Sequence, residues 1–270
     1  MDETSMEEKG YSTFIQVLNS ALQIPGIRID REKYLKGALK GKFSSDVVDL
    51  AIRTSPANAG IPSDELGKMA DASIRYESMK VTALSTAAGL PGGIAMAATI
   101  PADITQYFAH VLRIVQKLAY LYGWESLLAG DEEEVDDDTK TRLILFLGVM
   151  FGAQGAADAI AKAAEQTAAA VARQLPKQAL TKTFYYPLVK KVATFLGVQM
   201  NKEIFGKGVS KAVPVIGGLI SGGITLAAFA PMSLKFKDYL ASLPTADPAM
   251  FVEKSSEVIE VEVVDIGYEE

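Results

Sequence analysis

Apolar and polar residues recur along the chain with the spacing of helices, most clearly between residues 101 and 123. One half of the predicted cylinder is apolar and consists of Ile104, Tyr107, Phe108, Val111, Ile114, Val115, Leu118 and Tyr122. Pro101 suits the first turn, because its missing N–H would lack a helical partner there, and Gly123 suits the C-terminal cap. The pattern therefore predicts a long amphipathic helix between these two residues.

The same spacing predicts helices through most of the remaining chain. They cover residues 11–22, two short segments within 30–53, 63 to 84 or beyond, one long helix at 139–173, and about 187–204. Asp30 and Ser44 or Ser45 suit the N-caps of the two short helices, and Pro25-Gly26 ends the first helix. The predicted fold is all-α, a multi-helix bundle with two Gly/Pro-broken apolar helical hairpins and a flexible acidic C-terminal tail.

Two stretches carry no charged residue and are the basis of the predicted hairpins. They run from Val81 to Ala102 and from Ala212 to Leu234, and both reach the length of a membrane-spanning helix. Glycine and proline interrupt each stretch, which predicts two short apolar arms joined by a turn. Each arm is too short to cross a bilayer of about 30 Å. Two interpretations stay open: the hairpins are buried in the protein core, or they enter a membrane and return to the same face.

Charge divides the chain into regions more clearly than its total of −6 indicates. We distinguish a helical N-terminal extension (residues 1–62), a main helical domain (63–243) and an acidic flexible tail (244–270). Residues 251–270 carry seven acidic residues and one lysine, so the rest of the chain is neutral overall. The tail is a candidate contact for a protein partner, either as a disordered segment or as a strand added to the partner's sheet.

Lysines concentrate before and after the second uncharged stretch. They form a candidate membrane-proximal basic surface made of Lys190, Lys191, Lys202, Lys207, Lys211, Lys235 and Lys237. An anionic membrane surface fits these lysines better than nucleic acid, because they adjoin an apolar stretch and accompany no recognised nucleic-acid-binding motif. We therefore predict no nucleic-acid partner.

A polar stripe lies opposite the apolar half of the 101–123 helix. It consists of Asp103, Gln106, His110, Arg113 and Lys117. His110 is the chain's only histidine and the chain has no cysteine, so a metal site or a catalytic triad lacks further ligands of these types. We interpret the stripe as a solvated helix face and predict no catalytic residue, metal or cofactor. The alternative is a groove in which Asp103 and His110 act on a small molecule.

Several short motifs resemble a known family. They are Leu90-Pro91-Gly92-Gly93, Ile100-Pro101-Ala102-Asp103, Gln116, Leu118-Ala119, Tyr122-Gly123, and Val213-Pro214-Val215-Ile216-Gly217 with Gly222-Gly223-Ile224. Together they resemble the EcsC family of bacterial proteins, named after the third product of an ABC-transporter operon. The resemblance covers roughly residues 60–240 and departs at Thr225, where the family often has asparagine. It implies an all-α, EcsC-like domain over residues 63–243 without an established enzymatic activity.

These observations predict a non-enzymatic, membrane-associated accessory protein of the EcsC type on the cytoplasmic side. We expect it to be peripheral or re-entrant at the inner face of the cell membrane. The first alternative is a soluble helical protein-interaction module, and the second is a small-molecule binder or hydrolase that uses the face of Asp103 and His110. The second ranks last because the sequence contains no P-loop, nucleophile elbow, H-E-x-x-H or dinucleotide motif. The sequence does not indicate the oligomeric state.

Overall fold

A computed structural model describes most of the chain, namely residues 3–88, 102–128, 135–173, 182–205 and 222–251. Within these ranges the chain forms helices and no β-strand, which confirms the predicted all-α class. The α-helices are α1 (Glu3–Leu22), α2 (Arg31–Leu39), α3 (Ser45–Arg53), α4 (Ser63–Ala88), α5 (Ala102–Leu121), α6 (Asp137–Phe151), α7 (Ala156–Ala172), α8 (Lys182–Phe205) and α9 (Gly222–Ala241), followed by a 3₁₀ turn (Pro244–Ala246).

Helix α5 lies at the centre of the bundle and packs against α1, α2, α4, α6 and α9. Its end is the predicted one, because Gly123 follows it with a φ of +89° and only glycine adopts such a backbone easily. Its burial exceeds the prediction, since Leu112, Ala119 and Tyr120 are fully buried although they lie outside the predicted apolar half. The neighbours on several sides therefore leave α5 little contact with solvent.

The N-terminal helix is longer than its sequence pattern predicts. Helix α1 begins at Glu3 rather than near residue 11, and it packs along α8, where Gly10 and Gly197 bring the two backbones together. Phe14 and Leu18 of α1 belong to the same hydrophobic core as α5. The predicted N-terminal extension is thus an integral part of the bundle.

The prediction of one helix over residues 139–173 is wrong. Gly152 has a φ of +78° and Gly155 a φ of +81°, and two left-handed residues so close together end a helix. Helix α6 stops at Phe151 and α7 starts at Ala156. The break places Gly148 of α6 so close to Ala156 that a side chain on Gly148 would clash with it.

The connection between α1 and α2 is fixed to α5 by the fully buried side chain of Gln116. Its amide oxygen accepts a hydrogen bond from the N–H of Ile29 at 3.0 Å. Its amide nitrogen donates to the carbonyl oxygens of Ile27 and Leu112, each at 2.9 Å. These bonds satisfy buried backbone groups and hold the connection as a wall beside α5.

Three helix termini meet at one end of the bundle. Lys237 late in α9 binds Asp71 early in α4, with Nζ and Oδ1 2.8 Å apart. Farther along α4, Lys80 lines one cavity with Gln106 near the start of α5. Phe229 of α9 lies against Tyr107 near the start of α5, with ring centroids 6.2 Å apart. The later part of α4 and the early parts of α5 and α9 therefore lie together, and we call this the apolar-segment end because the two uncharged stretches attach to these parts.

The predicted hairpin turns and residues 252–270 of the predicted acidic tail lie outside the described residues and stay predictions. The first residues of that tail are packed rather than flexible, because Pro244–Ala246 forms the 3₁₀ turn and Phe251 is buried against Ala168 and Val171 of α7. The first arm of one stretch, residues 81–88, belongs to α4, and residues 222–234 of the other belong to α9. Among the helices that the structure describes, none combines the length and the apolar character needed to cross a membrane.

Candidate functional site

A buried carboxylate on α4 lies against three basic side chains of α5. Glu77 has no exposed surface, and its oxygens lie 3.0 Å from His110 Nδ1, 3.3 Å from Arg113 Nε and 2.5 Å from Lys117 Nζ. The three basic residues are three and four positions apart, so they share one face of α5. The structure thus brings together three of the five predicted polar-stripe residues around a partner that the sequence analysis did not single out.

The interpretation of this stripe as a solvated face is wrong for its buried part. His110 and Lys117 are each only 7% exposed, and Glu77 supplies the counter-charge without which a buried cation is costly. The Lys117 ammonium also lies 4.7 Å from the ring centroid of Tyr76, a favourable cation–π contact. Gln106 is exposed as predicted, and the side chain of Asp103 lies outside the described residues.

The surroundings of Glu77 keep its carboxyl group ionised. Burial by itself raises the pKa of Glu77, but the hydrogen bonds from His110 and Lys117 and the charges of Lys117 and Arg113 outweigh it and lower the pKa to about 2. An ionised carboxylate only accepts hydrogen bonds, so the His110 Nδ1 atom that faces it carries the hydrogen. This fixes the orientation of the imidazole ring and leaves Nε2 for another partner.

The low pKa of Glu77 predicts an acid-dependent contribution to stability. The ionised Glu77 carboxylate contributes fully to the free energy of unfolding above pH 4.5, which is the ordinary pKa of a glutamate. The contribution is lost as the pH falls toward about 2, because the carboxylate of the unfolded chain is protonated at a higher pH than that of the folded protein. We expect the difference in unfolding free energy between the wild type and Glu77→Gln to shrink by up to about 3 kcal/mol between pH 5 and pH 2. Urea denaturation across this range measures it, and a difference that stayed constant would contradict the prediction.

A cavity of about 370 Å³ lies beside this ion cluster, between the α1–α2 connection and helices α4 and α5. Its polar lining consists of Lys80, Gln106, His110 and Arg113, and its apolar lining includes Ile24, Pro25 and Ile27. Arg113 also donates from Nη1 to the carbonyl oxygen of Gly26, which holds its guanidinium group at the wall. None of the described lining residues is acidic, so the cavity is a basic one.

The candidate basic surface is only partly present as predicted. Lys190, Lys191 and Lys235 are exposed on α8 and α9, whereas Lys207 and Lys211 and the side chain of Lys202 lie outside the described residues. Lys237 does not belong to a free basic surface, because its side chain is only 17% exposed and binds Asp71. That hydrogen bond raises the pKa of Lys237, so the lysine stabilises the α4–α9 contact instead.

The sequence contained a signal for Glu77 that the analysis missed. Leu66, Ala70, Ile74 and Glu77 are spaced as neighbours on one helix face, and the first three are core residues. A glutamate in such a register needs a buried cation as its partner. Lys80 carries no comparable signal, because it is exposed and joins the cavity only through the packing of α4 on α5.

The described residues contain no group of three or more histidine, cysteine, aspartate or glutamate side chains that could hold a metal ion. The groups that the site offers are positive charges, hydrogen-bond donors and an apolar wall.

In comparisons with known proteins, no family model, no curated protein and no solved structure matches this chain. Its membership of the EcsC family accordingly stays a prediction.

Proposed function

We propose that the protein is a non-enzymatic, membrane-associated accessory protein of the EcsC type on the cytoplasmic side of the cell membrane. The observation that supports this proposal is the apolar-segment end, where α4 leads into one uncharged stretch and α9 emerges from the other. Two apolar segments attached to one end can enter the same membrane face. Their contributions then add, because membrane affinity grows with the apolar area buried.

The lysines are a weaker basis for membrane association than the apolar stretches. Lys190 and Lys191 lie within α8 and Lys235 lies within α9, and Lys237 is already paired with Asp71. Each exposed lysine near an anionic surface contributes only about 1 kcal/mol, and salt screens that attraction. We therefore expect apolar contacts to supply most of the binding.

The purified protein should float with liposomes, and the association should survive high salt. Replacing Met96 and Leu219, one residue in each uncharged stretch, by aspartate should abolish flotation, because a charge in the apolar part of a bilayer costs several kcal/mol. Leu50→Asp is the control for introducing an aspartate, since it puts one negative charge on an exposed apolar residue of α3 and should leave flotation unchanged. Flotation with neutral and anionic liposomes, at low and high salt, is the measurement.

Two results would contradict the proposal. Absence of flotation at low salt would favour the soluble helical interaction module, with both stretches in the core. Loss of helical circular dichroism in the Met96/Leu219 double variant would also indicate core positions, because a buried unpaired charge unfolds a protein. Association with anionic liposomes alone that disappeared in salt would support a peripheral, lysine-dependent form of the proposal.

A further inference from the structure

The basic cavity beside Glu77 has the size of a small-molecule site. Its volume of about 370 Å³ falls within the usual range for such sites and far exceeds the space that a simple inorganic anion needs. Ile24, Pro25 and Ile27 give it an apolar wall, so an organic group can occupy the part that an anion leaves free. A ligand with one charged end and an apolar body fits this lining.

The charge balance around the cavity favours an anion. Among the side chains that the structure describes there, Lys80, Arg113 and Lys117 carry three positive charges and Glu77 carries one negative charge. Two of the positive charges, on Lys80 and Arg113, line the cavity itself. The excess of two charges matches a doubly charged anion better than a singly charged carboxylate.

Glu77 also directs the remaining hydrogen-bonding atoms. It accepts hydrogen bonds from Arg113 Nε and from His110 Nδ1, and Gly26 accepts one from Arg113 Nη1. Within the described part of the chain, Arg113 Nη2 and His110 Nε2 have no protein partner, although His110 is more than nine-tenths buried and lines the cavity. A ligand in the cavity can therefore reach both of these atoms, and the ring that carries Nε2 is already held in one orientation.

We propose that this cavity binds a phosphate monoester, with the phosphate held by Lys80, Arg113, His110 and Gln106 and the organic group against the α1–α2 connection. A phosphate monoester carries close to two negative charges at neutral pH and three acceptor oxygens. The guanidinium and ammonium groups supply charge-assisted donors, and the exposed amide of Gln106 supplies a neutral one. Because His110 Nδ1 already carries the hydrogen that Glu77 accepts, Nε2 donates to the phosphate only in the doubly protonated ring, which adds one positive charge to the cavity.

His110 makes the test specific, because an untagged chain gives a single set of imidazole signals. Titration with phenyl phosphate should shift these NMR signals saturably, phenol should not shift them, and inorganic phosphate should bind more weakly.

Three variants test which residues hold the phosphate. Lys80→Gln should weaken phenyl phosphate binding about tenfold or more. Lys42→Gln, at an exposed lysine outside the cavity, should leave the affinity unchanged. Arg113→Lys, which keeps the charge beside Glu77 but loses the planar fork, should also weaken binding.

A lipid headgroup and a free metabolite share this chemistry, and liposomes distinguish them. If the wild-type protein bound liposomes with phosphatidic acid more tightly than liposomes with phosphatidylglycerol, and Lys80→Gln abolished this preference, the ligand would be a lipid monoester. If the protein bound phenyl phosphate but showed no such preference, the ligand would be a free metabolite. Absence of a saturable shift of the His110 signals, or equal weakening by Lys42→Gln and Lys80→Gln, would overturn the proposal. The titration contains no membrane, so its outcome is independent of the flotation experiment.

Discussion

Glu77→Gln should lower the free energy of unfolding by about 3–5 kcal/mol at neutral pH, a large part of the stability of an ordinary domain. The substitution keeps the shape of the side chain but removes the carboxylate that His110, Arg113 and Lys117 all contact. Lys117 is the most affected, because its ammonium is 2.5 Å from Glu77 and its side chain is 9% exposed. Removing one partner of a buried ion pair leaves the other charge desolvated and unpaired.

Chemical denaturation of three further variants separates the charge effect from a general loss of packing. Glu65→Gln removes a surface pair with Lys68 and should cost less than about 1 kcal/mol. Lys117→Met combined with Glu77→Gln should recover part of the loss, because the double variant no longer buries that unpaired ammonium. If Glu77→Gln cost no more than Glu65→Gln, the buried cluster would contribute little and the prediction would be wrong.

The features that the sequence predicted correctly are those set by local patterns. Helix α5 follows from apolar spacing within about twenty residues and from the glycine at its end. The N-cap of α2 follows from Asp30, whose side chain accepts a hydrogen bond from the N–H of Lys33 at 2.9 Å. Such signals need no knowledge of which helices pack together.

The features that the sequence did not predict depend on tertiary contacts. Glu77 and His110 are 33 positions apart, so no pattern within one helix could pair them, and a stripe of bases without its carboxylate resembles a solvated face. Gly152 is compatible with a continuous helix in an Ala-rich run, and the break there depends on how α7 packs beside α6 and α8. The cavity likewise requires the α1–α2 connection, which Gln116 holds in place from a distant part of the chain.

Gly197→Ala should destabilise the protein by about 2–3 kcal/mol, although alanine is a better helix former than glycine. Gly197 of α8 crosses Gly10 of α1, and a Cβ at position 197 would overlap the carbonyl oxygen of Gly10. The Gly10 carbonyl belongs to the backbone and cannot rotate away as a side chain does. Helices α1 and α8 must therefore separate and expose part of their contact.

Gly37→Ala is the matched control for this substitution, because Gly37 is also within a helix but has no atom near its missing side chain. It should stabilise the protein by about 0.5–1 kcal/mol, so the two glycine-to-alanine changes should differ in sign. Denaturation curves measure both effects, and limited proteolysis should cut α1 faster in Gly197→Ala because its docking on α8 is weakened. A gain of stability in both variants would show that the helices do not approach closely at Gly10, and α1 would then owe its early start to its own sequence.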